Sequence, residues 1–210
     1  MPETTLWKCL RVLEARRAFA TYVIYAYIGV SAFKILQVFG LMAGQLNYED
    51  TGNLDALNMV GLVVGLLNWF LQIAATIPIV MWIYRAHANL VAMKCPDLKY
   101  SPGWAVGWYF IPIANLIEPF RAMRELWRRS HSLESGAVRD APEMAPWWTT
   151  FIAANTLSFI TAFSPAHDKQ DLFGLLSLAL CIASAWCLLQ IINKVTQAQS
   201  DLLSARHTFA

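Results

Sequence analysis

The stretch that decides the fold reads GWAVGWYFIPIANLIEPF and covers residues 103–120. It is apolar enough to enter a bilayer, but two glycines, two prolines and Glu118 interrupt it. If it crossed the bilayer, Arg121 and the next four arginines would lie outside the cell, whereas short basic loops stay in the cytoplasm. If the stretch instead dips into the bilayer and returns, or lies along the bilayer surface, these basic residues stay inside the cell. The sequence therefore favours a re-entrant or interfacial segment over a fifth span.

The composition is that of a membrane protein. Hydrophobic residues make up 57% of the chain and charged residues 14%, whereas a soluble domain carries about a quarter charged residues. The net charge is only +2, yet all lysines and arginines except Lys34 and Lys169 fall in three clusters and the tail. This uneven distribution indicates contact with anionic headgroups of the inner leaflet and gives no sign of a nucleic-acid partner.

Four segments are predicted to cross as helices, because crossing about 30 Å of hydrocarbon takes about 20 apolar residues. They are residues 18–43, 56–84, 147–163 and 172–193. The third is short for a span. The first is too long for a cleaved signal, so residues 1–17 and the helix after them are expected to stay as a signal anchor. The prediction is a single all-α membrane domain, residues 1–210, in the inner cell membrane with both termini in the cytoplasm.

Residues 120–131 follow a different pattern, that of a basic amphipathic helix. Its apolar side consists of Phe120, Met123, Leu126 and Trp127, and its basic side of Arg121, Arg124, Arg128 and Arg129. Pro119 suits the first turn of such a helix. Two placements stay open. The helix lies on the inner leaflet with its arginines on lipid headgroups, or it packs on its own protein with a solvated outer face.

A distinctive pattern runs through the middle of the chain. It comprises an arginine and an asparagine four residues apart, a Gly-Trp pair, a Pro-x-x-Asn-Leu turn, a second proline and Glu-x-Trp. The residues that carry it are Arg85, Asn89, Trp104, Trp108, Pro112, Asn115, Pro119, Glu125 and Trp127. Over much of residues 55–195 the chain resembles domain of unknown function 4328, a family of bacterial integral membrane proteins. The resemblance implies a membrane fold and offers no activity.

Four of these motif residues have predicted structural roles. Pro112 removes a backbone donor, and a helix break at membrane depth needs neighbours that satisfy the freed polar groups. Asn115 is expected to cap this kink, with a place in a ligand or ion path as the alternative. Arg85 and Asn89 share a face of the second span, and we expect them to staple the broken segment to it. A lipid-phosphate site is the alternative for this pair.

Polar residues repeat inside the predicted spans. Asn68, Gln72 and Thr76 do so on the second, Ser177, Cys181 and Ser184 on the fourth, and Asn155, Thr156 and Ser158 lie in the third. Such polar faces let two helices pack and hydrogen-bond, or they line a water-filled conduit between subunits. The sequence does not distinguish these two interpretations. Lys34 is the one charge expected within a span. We expect it to snorkel to the outer surface, because the first helix is expected to end near it.

The sequence offers little catalytic chemistry. It lacks the His-Glu-x-x-His and Gly-x-Ser-x-Gly motifs, and none of its four histidines falls at mid-membrane. We expect no cofactor, no metal and no disulfide. Three functions stay open: an oligomeric channel-like or effector assembly, a scaffold or sensor that recruits a cytoplasmic protein or anionic lipid, and an intramembrane or lipid-modifying enzyme. The first two are favoured over catalysis, and a homo-oligomer is expected.

Overall fold

The computed structural model describes residues 3–42, 54–131, 140–163 and 167–208. All regular structure in these ranges is helical. In chain order the helices are α1 (Glu3–Met42), α2 (Leu54–Ala92), α3 (Pro102–Gly107), α4 (Glu118–His131), α5 (Met144–Phe163) and α6 (His167–Thr208), with 3-10 turns at Trp108–Phe110 and Ala114–Leu116. The predicted all-α class is confirmed.

Three of the helices are long and apolar enough to cross a bilayer. Within the described residues the apolar segments are Trp7–Gly40 in α1, Met59–Ala92 in α2 and Leu172–Leu202 in α6. They coincide with the first, second and fourth predicted spans. α5 covers the third but is not among them, because its threonines and Asn155 reduce its apolar content. The chain is therefore a helical protein of membrane type.

α6 continues well past the predicted boundary at residue 193 and ends at Thr208. The continuation is stabilised by packing, since Val195, Ala198 and Leu202 are buried. Their spacing places them along one side of a helix, as expected of an amphipathic helix on a protein core. Hydropathy alone therefore located the end of the apolar run and not the end of the helix.

The four long helices form an open layer in the order α2, α1, α6, α5. α1 packs on α2 and α6, and α6 packs on α5, whereas α2 and α5 make at most isolated contacts in the described residues. The first half of α1 lies beside the second half of α2, where Arg16 Nη1 donates to Met81 O at 2.6 Å. The two outer helices of the layer thus leave a gap between them.

α5 and α6 run antiparallel. The start of α5 is joined to the later part of α6 by the ion pair between Glu143 Oε1 and Lys194 Nζ, at 2.6 Å. Farther along, the hydroxyls of Ser158 and Ser177 lie 2.6 Å apart. α5 therefore runs along the same length of the layer as the part of α6 that precedes Lys194, in the opposite direction.

One end of the layer, here called the basic end, holds the first part of α1, the last part of α2, the start of α5 and the last part of α6. α3 and α4 pack on it. Most of the core lies here, and Leu13, Trp82, Leu126 and Ile192 are completely buried. Away from this end, large apolar side chains point outward, as expected where lipid covers the surface.

α4 packs its apolar side on the protein itself. Met123 and Leu126 are buried, and the helix contacts α2, α3 and α6. Insertion of this apolar side into the inner leaflet is therefore wrong, because the core already covers it. Arg121 and Arg128 on the opposite side are exposed, and their contact with lipid headgroups stays a prediction.

The predicted interruption of residues 103–120 is present. α3 ends at Gly107, the first 3-10 turn ends at Phe110, and Ile111 is extended with φ −100° and ψ 113°. Pro112 explains this, because a proline pushes the preceding residue out of the helical region. The two ends of the stretch then meet, since Tyr100 Oη donates to Glu118 Oε2 at 2.6 Å. Residues 101–117 are called the broken segment below.

Candidate functional site

The gap between α2 and α5 forms a groove whose floor consists of α1 and α6. It contains two adjoining cavities of about 320 and 630 Å³. The inner cavity, toward the basic end, reaches Tyr109 of the broken segment. The outer cavity reaches Lys34. Tyr27, Gln72 and Cys181 line both cavities, so that the groove extends along much of the layer within one copy of the chain.

The polar stripe of α2 is divided between packing and groove. Asn68 is buried and its Nδ2 donates to Ser31 Oγ of α1 at 2.6 Å. Gln72 and Thr76 are exposed on the groove, where Thr76 Oγ1 donates to the Gln72 carbonyl at 3.2 Å. Helix packing therefore accounts for Asn68, whereas Gln72 and Thr76 face a space that a ligand or a second copy can occupy.

The stripe of α6 holds α5 in place. Ser177 Oγ donates to the Ala154 carbonyl at 3.1 Å, and Ser184 Oγ donates to the Trp147 carbonyl, also at 3.1 Å. Both serines are buried. These contacts support the packing interpretation for this stripe, since small hydroxyl residues let two helices approach closely and bond.

Lys34 lies within α1, beside α2. α1 does not end near it but continues for about two turns to Met42. Its Nζ lies beside Gly65 of α2, at 3.7 Å from where a β-carbon would stand there. The side chain thus points along the neighbouring helix into the outer cavity. The expected end of the first helix near Lys34 is therefore wrong, whereas snorkelling of its amine to the outer surface stays a prediction.

The broken segment is anchored to α5. Trp148 Nε1 donates to the Leu116 carbonyl at 3.0 Å, which supplies a partner that the interrupted helix lacks. The backbone N–H of Asn115 donates to the Ile111 carbonyl at 2.7 Å. Its side-chain Oδ1, however, is buried without a hydrogen-bond partner among the described residues. This oxygen therefore does not contribute to the expected capping of the kink by the Asn115 amide.

Arg85 and Asn89 do not staple the broken segment to α2. Arg85 Nε donates to the Cys9 carbonyl of α1 at 3.4 Å. Asn89 Nδ2 donates to Gln199 Oε1 of α6 at 3.1 Å, and both side chains are buried. Gln199 Nε2 donates in turn to the Ala86 carbonyl and to Ser130 Oγ of α4. The pair joins α2 to α1 and α6, and a lipid-phosphate role for buried Asn89 has no support in this packing.

The remaining motif residues shape the basic end. Glu125 accepts hydrogen bonds from the backbone N–H groups of Lys99 and Tyr100, each at 3.0 Å. Pro119 is buried in the first turn of α4, and Trp127 is buried with its ring stacked on His131 at 4.0 Å. The rings of Trp104 and Trp108 lie 5.0 Å apart at the start of the broken segment. These contacts fix the broken segment and α4 in place.

A crevice of about 280 Å³ lies on the outer side of α4. Its lining is Lys99, Tyr100, Arg121, Arg124, Glu125, Arg128 and Arg129, and it is called the basic crevice below. The predicted headgroup residues are thus brought together, with Lys99 added from the loop before α3. Sequence reasoning missed this lysine, because its distance to α4 along the chain gives no sign of their proximity.

Acidic and carbonyl groups hold the arginines of the basic crevice. Asp140 Oδ2 pairs with Arg124 Nε at 2.6 Å and Asp140 Oδ1 with Arg128 Nε at 2.7 Å. Burial alone would raise the pKa of Asp140, but the hydrogen bonds from Arg128 and Arg124 outweigh it and hold the pKa below its ordinary value. Arg121 Nη1 pairs with Glu118 at 2.8 Å, and Arg129 Nη2 donates to the Asp97 carbonyl at 2.9 Å. Each guanidinium has five donors, so donors remain for an anion.

The described residues contain no group of three histidine, cysteine or acidic side chains placed to hold a metal ion. Cys9, Cys95, Cys181 and Cys187 are all free thiols. In the part of the chain that the structure describes, the groove between α2 and α5 and the basic crevice each offer a space for a ligand.

The resemblance of the central pattern to a known family can be compared with what known proteins show. No curated protein and no solved structure matches the chain. The family model of the domain of unknown function DUF4328 matches residues 48–197, which contain every motif residue from Arg85 to Trp127. The expected family is thereby confirmed, and this chain belongs to the DUF4328 family.

Proposed function

We propose that this protein is a non-enzymatic integral membrane protein that binds an anionic lipid headgroup in the basic crevice at the cytoplasmic surface. The observation that carries the proposal is the convergence of Lys99 and four arginines of α4 around one space of about 280 Å³. Each basic residue near a membrane surface adds about 1 kcal/mol of attraction to anionic lipid. A planar guanidinium also matches the geometry of a phosphate.

The direction of α5 supports a fourth span in this proposal. α2 returns the chain to the basic end, and α6 begins at the opposite end of the layer. α5 makes the connecting passage, antiparallel to α6, as the Glu143–Lys194 and Ser158–Ser177 contacts indicate. Its 20 residues cover about 30 Å, the thickness of the hydrocarbon core. If α6 crosses the bilayer, α5 crosses beside it.

The two ends of the broken segment meet, which supports a segment that enters the bilayer and returns rather than one that crosses it. The hydrogen bond between Tyr100 Oη and Glu118 joins residues on either side of the segment. A span would separate these residues by about 30 Å. In the proposed topology the basic end then faces the cytoplasm of the inner cell membrane, together with both termini.

The headgroup proposal is tested with purified protein in lipid nanodiscs that contain a trace of fluorescent phosphatidylglycerol in phosphatidylcholine. The lipid retained by the protein after dilution into detergent is then measured. The double variant Lys99→Gln/Arg121→Gln removes two crevice charges and leaves the pairing of Asp140 intact. Since two contacts of about 1 kcal/mol each are lost, retention is expected to fall at least about tenfold.

The matched control removes two exposed charges of the same sign from α1, with Lys8→Gln/Arg11→Gln. Retention by this variant is expected to stay near that of the unmodified protein. An equal loss in both double variants would mean that general attraction to the basic end, and not the crevice, holds the lipid. The proposal would then be abandoned.

A channel-like homo-oligomer is a second candidate, favoured by the exposed Gln72 and Thr76 in the groove. In a single copy the groove is open on one side, so a continuous water-filled path needs a second copy to complete its wall. Ion flux through proteoliposomes tests this candidate. Gln72→Leu is the informative variant, because Asn68 serves packing. If the ion flux through liposomes with the unmodified protein is no greater than that through empty liposomes, the channel-like candidate is excluded.

A further inference from the structure

We propose that the outer cavity of the groove binds one anionic amphiphile from the bilayer, with its acidic headgroup on Lys34 and its hydrocarbon chain between α2 and α5. The cavity lies away from the basic crevice, so this inference does not rest on the headgroup site. Its three supports are a lysine without a counter-charge among the described residues, a cavity that this lysine lines, and an apolar groove that is open to lipid.

Lys34 has no ion pair or hydrogen bond with any residue in the described part of the chain. It lies within the apolar segment Trp7–Gly40, where an ionisable side chain is a functional candidate unless a partner accounts for it. The other polar side chains of the outer cavity, among them Thr161 and Gln72, carry no charge. Among the described residues that line it, the cavity therefore has one cationic group and no acidic one.

Two glycines of α2 lie beside this group. Gly61 and Gly65 lie one helical turn apart, and a β-carbon at these positions would stand 3.7 Å from Gln37 Nε2 and from Lys34 Nζ. Such a glycine pair usually brings two helix backbones together. Here two long polar side chains of α1 lie against it at ordinary contact distance, and the lysine lines the outer cavity.

The rest of the outer cavity suits a hydrocarbon chain. Its volume of about 630 Å³ falls within the range of about 300–1,000 Å³ that small-molecule sites occupy. Leu62, Leu66 and Trp69 on its α2 side are exposed, and Leu178 of α6 also lines it. Because α2 and α5 scarcely touch, a chain can enter sideways from the bilayer without leaving lipid.

Charge decides between the classes of amphiphile. A cationic headgroup would be repelled by Lys34, and a neutral one would leave the amine without an ionic partner in a region of low dielectric. A carboxylate or phosphate supplies that partner and accepts hydrogen bonds from the amine. The ligand class that the cavity fits is therefore an amphiphile with a negative headgroup.

The test uses a photoreactive long-chain fatty acid and its methyl ester, which differ in charge but share the same chain. Both are added to the purified protein in phosphatidylcholine nanodiscs, and the labelled peptides are identified by mass spectrometry. We expect labelling of the peptides that line the outer cavity, with the acid about tenfold more efficient than the ester, equivalent to about 1.4 kcal/mol.

Variants assign the preference to the lysine. Lys34→Met is expected to lower labelling by the acid to the level of the ester and to leave the ester unchanged. Lys34→Arg keeps the charge and is expected to keep the preference, which separates loss of the contact from loss of the fold. The control Lys99→Gln/Arg121→Gln is expected to label like the unmodified protein. Equal labelling by acid and ester in the unmodified protein, or an unchanged preference in Lys34→Met, would overturn the inference.

Discussion

Gln199 is a single side chain that connects three helices at the basic end. It is fully buried, accepts from Asn89 of α2, and donates to the Ala86 carbonyl and to Ser130 of α4. Gln199→Leu removes the partner of the Asn89 amide and of the Ser130 hydroxyl, both buried, so the free energy of unfolding is expected to fall by about 2 kcal/mol. Thermal unfolding of the purified protein in detergent measures this loss.

The control is Gln197→Leu, two residues earlier on the exposed side of α6, where the amide donates to Asp201 at 2.8 Å. A change of only a few tenths of a kcal/mol is expected there. If both variants lower the unfolding temperature equally, the buried amide contacts do not stabilise the basic end.

The hydrogen bond from Tyr100 to Glu118 predicts a pH dependence. The bond is the main cause that holds the pKa of Glu118 below its ordinary value. Burial, together with Glu118, raises the pKa of Tyr100 from 10.0 to about 12. Because the folded pKa of the tyrosine is the higher one, its stabilising effect is complete below pH 10 and is lost as the pH rises through about 12. The stabilising effect of the Glu118 carboxylate is lost at acidic pH, as the pH falls through the lowered pKa of Glu118.

Tyr100→Phe removes this hydrogen bond with little change in volume. Near neutral pH the free energy of unfolding is expected to fall by about 1.5–3 kcal/mol, the range for a hydrogen bond to a charged group. The steep loss of stability between pH 10 and about 12 should become shallower, because the titrating hydroxyl is gone. Denaturant unfolding across that pH range tests both, and an identical alkaline profile in the variant would contradict the assignment.

The sequence patterns identified residues that make structural contacts more often than they identified the residues being contacted. The spacing of Arg85 and Asn89 correctly places them one turn apart on α2, but it contains no information about which helix faces them. The structure places α1 and α6 there. Gln199 was missed because a lone glutamine in a polar tail resembles any solvated residue. Its buried position depends on α4 and α6 meeting, which no local pattern reports.

Among the elements, α5 gives the sharpest test of topology. A variant with Phe163→Cys as its only cysteine places a thiol at the end of α5. If α5 crosses, an impermeant thiol reagent is expected to label it from outside intact cells. Cys95, kept as the only cysteine in a second variant, is expected to react only after the cells are permeabilised. Protection of position 163 from the outside reagent would rule out the fourth span.

The anchoring of the broken segment to α5 predicts a local change in dynamics. Trp148→Phe removes the hydrogen bond to the Leu116 carbonyl and keeps most of the ring packing. The free energy that holds the segment closed should fall by about 1 kcal/mol, and amide exchange at Asn115, Leu116 and Ile117 should speed up about fivefold. Trp186→Phe, at a half-exposed position of α6, is the control. Unchanged exchange in Trp148→Phe would show that other contacts hold the segment.

Element boundaries show which signals are readable in a sequence. The break at Pro112 and the start of α4 follow from local backbone chemistry, and both were predicted. The apolar side of α4 was also evident, but whether protein or lipid covers it is decided by α2, α3 and α6. Apolar runs likewise place all four long helices, but α5 is less apolar than the other three because it carries polar residues, which bond to its own backbone and to α6.

For the whole molecule, the open layer predicts association. The outer helices α2 and α5 leave exposed Gln72, Thr76 and Asn155 along the groove. Thr76 and Asn155 each donate one hydrogen bond to their own helix, and in a bilayer the remaining polar groups, among them the Gln72 amide, need water, a ligand or protein as partners. A second copy that covers the inner cavity supplies protein, and the outer cavity stays available to an amphiphile. The expected particle in nanodiscs therefore contains at least two chains of 23.6 kDa each.

Native mass spectrometry of the protein released from nanodiscs counts the chains directly. Thr76→Leu/Asn155→Leu replaces the polar groups of the inner cavity with apolar ones that lipid can cover, and it should shift the population toward single chains. Gln197→Leu, outside the groove, should leave the count unchanged. If the unmodified protein is strictly monomeric, the channel-like assembly is excluded, because one open groove cannot enclose a path. The basic crevice and Lys34 each lie within one chain, so their binding should persist in such a monomer.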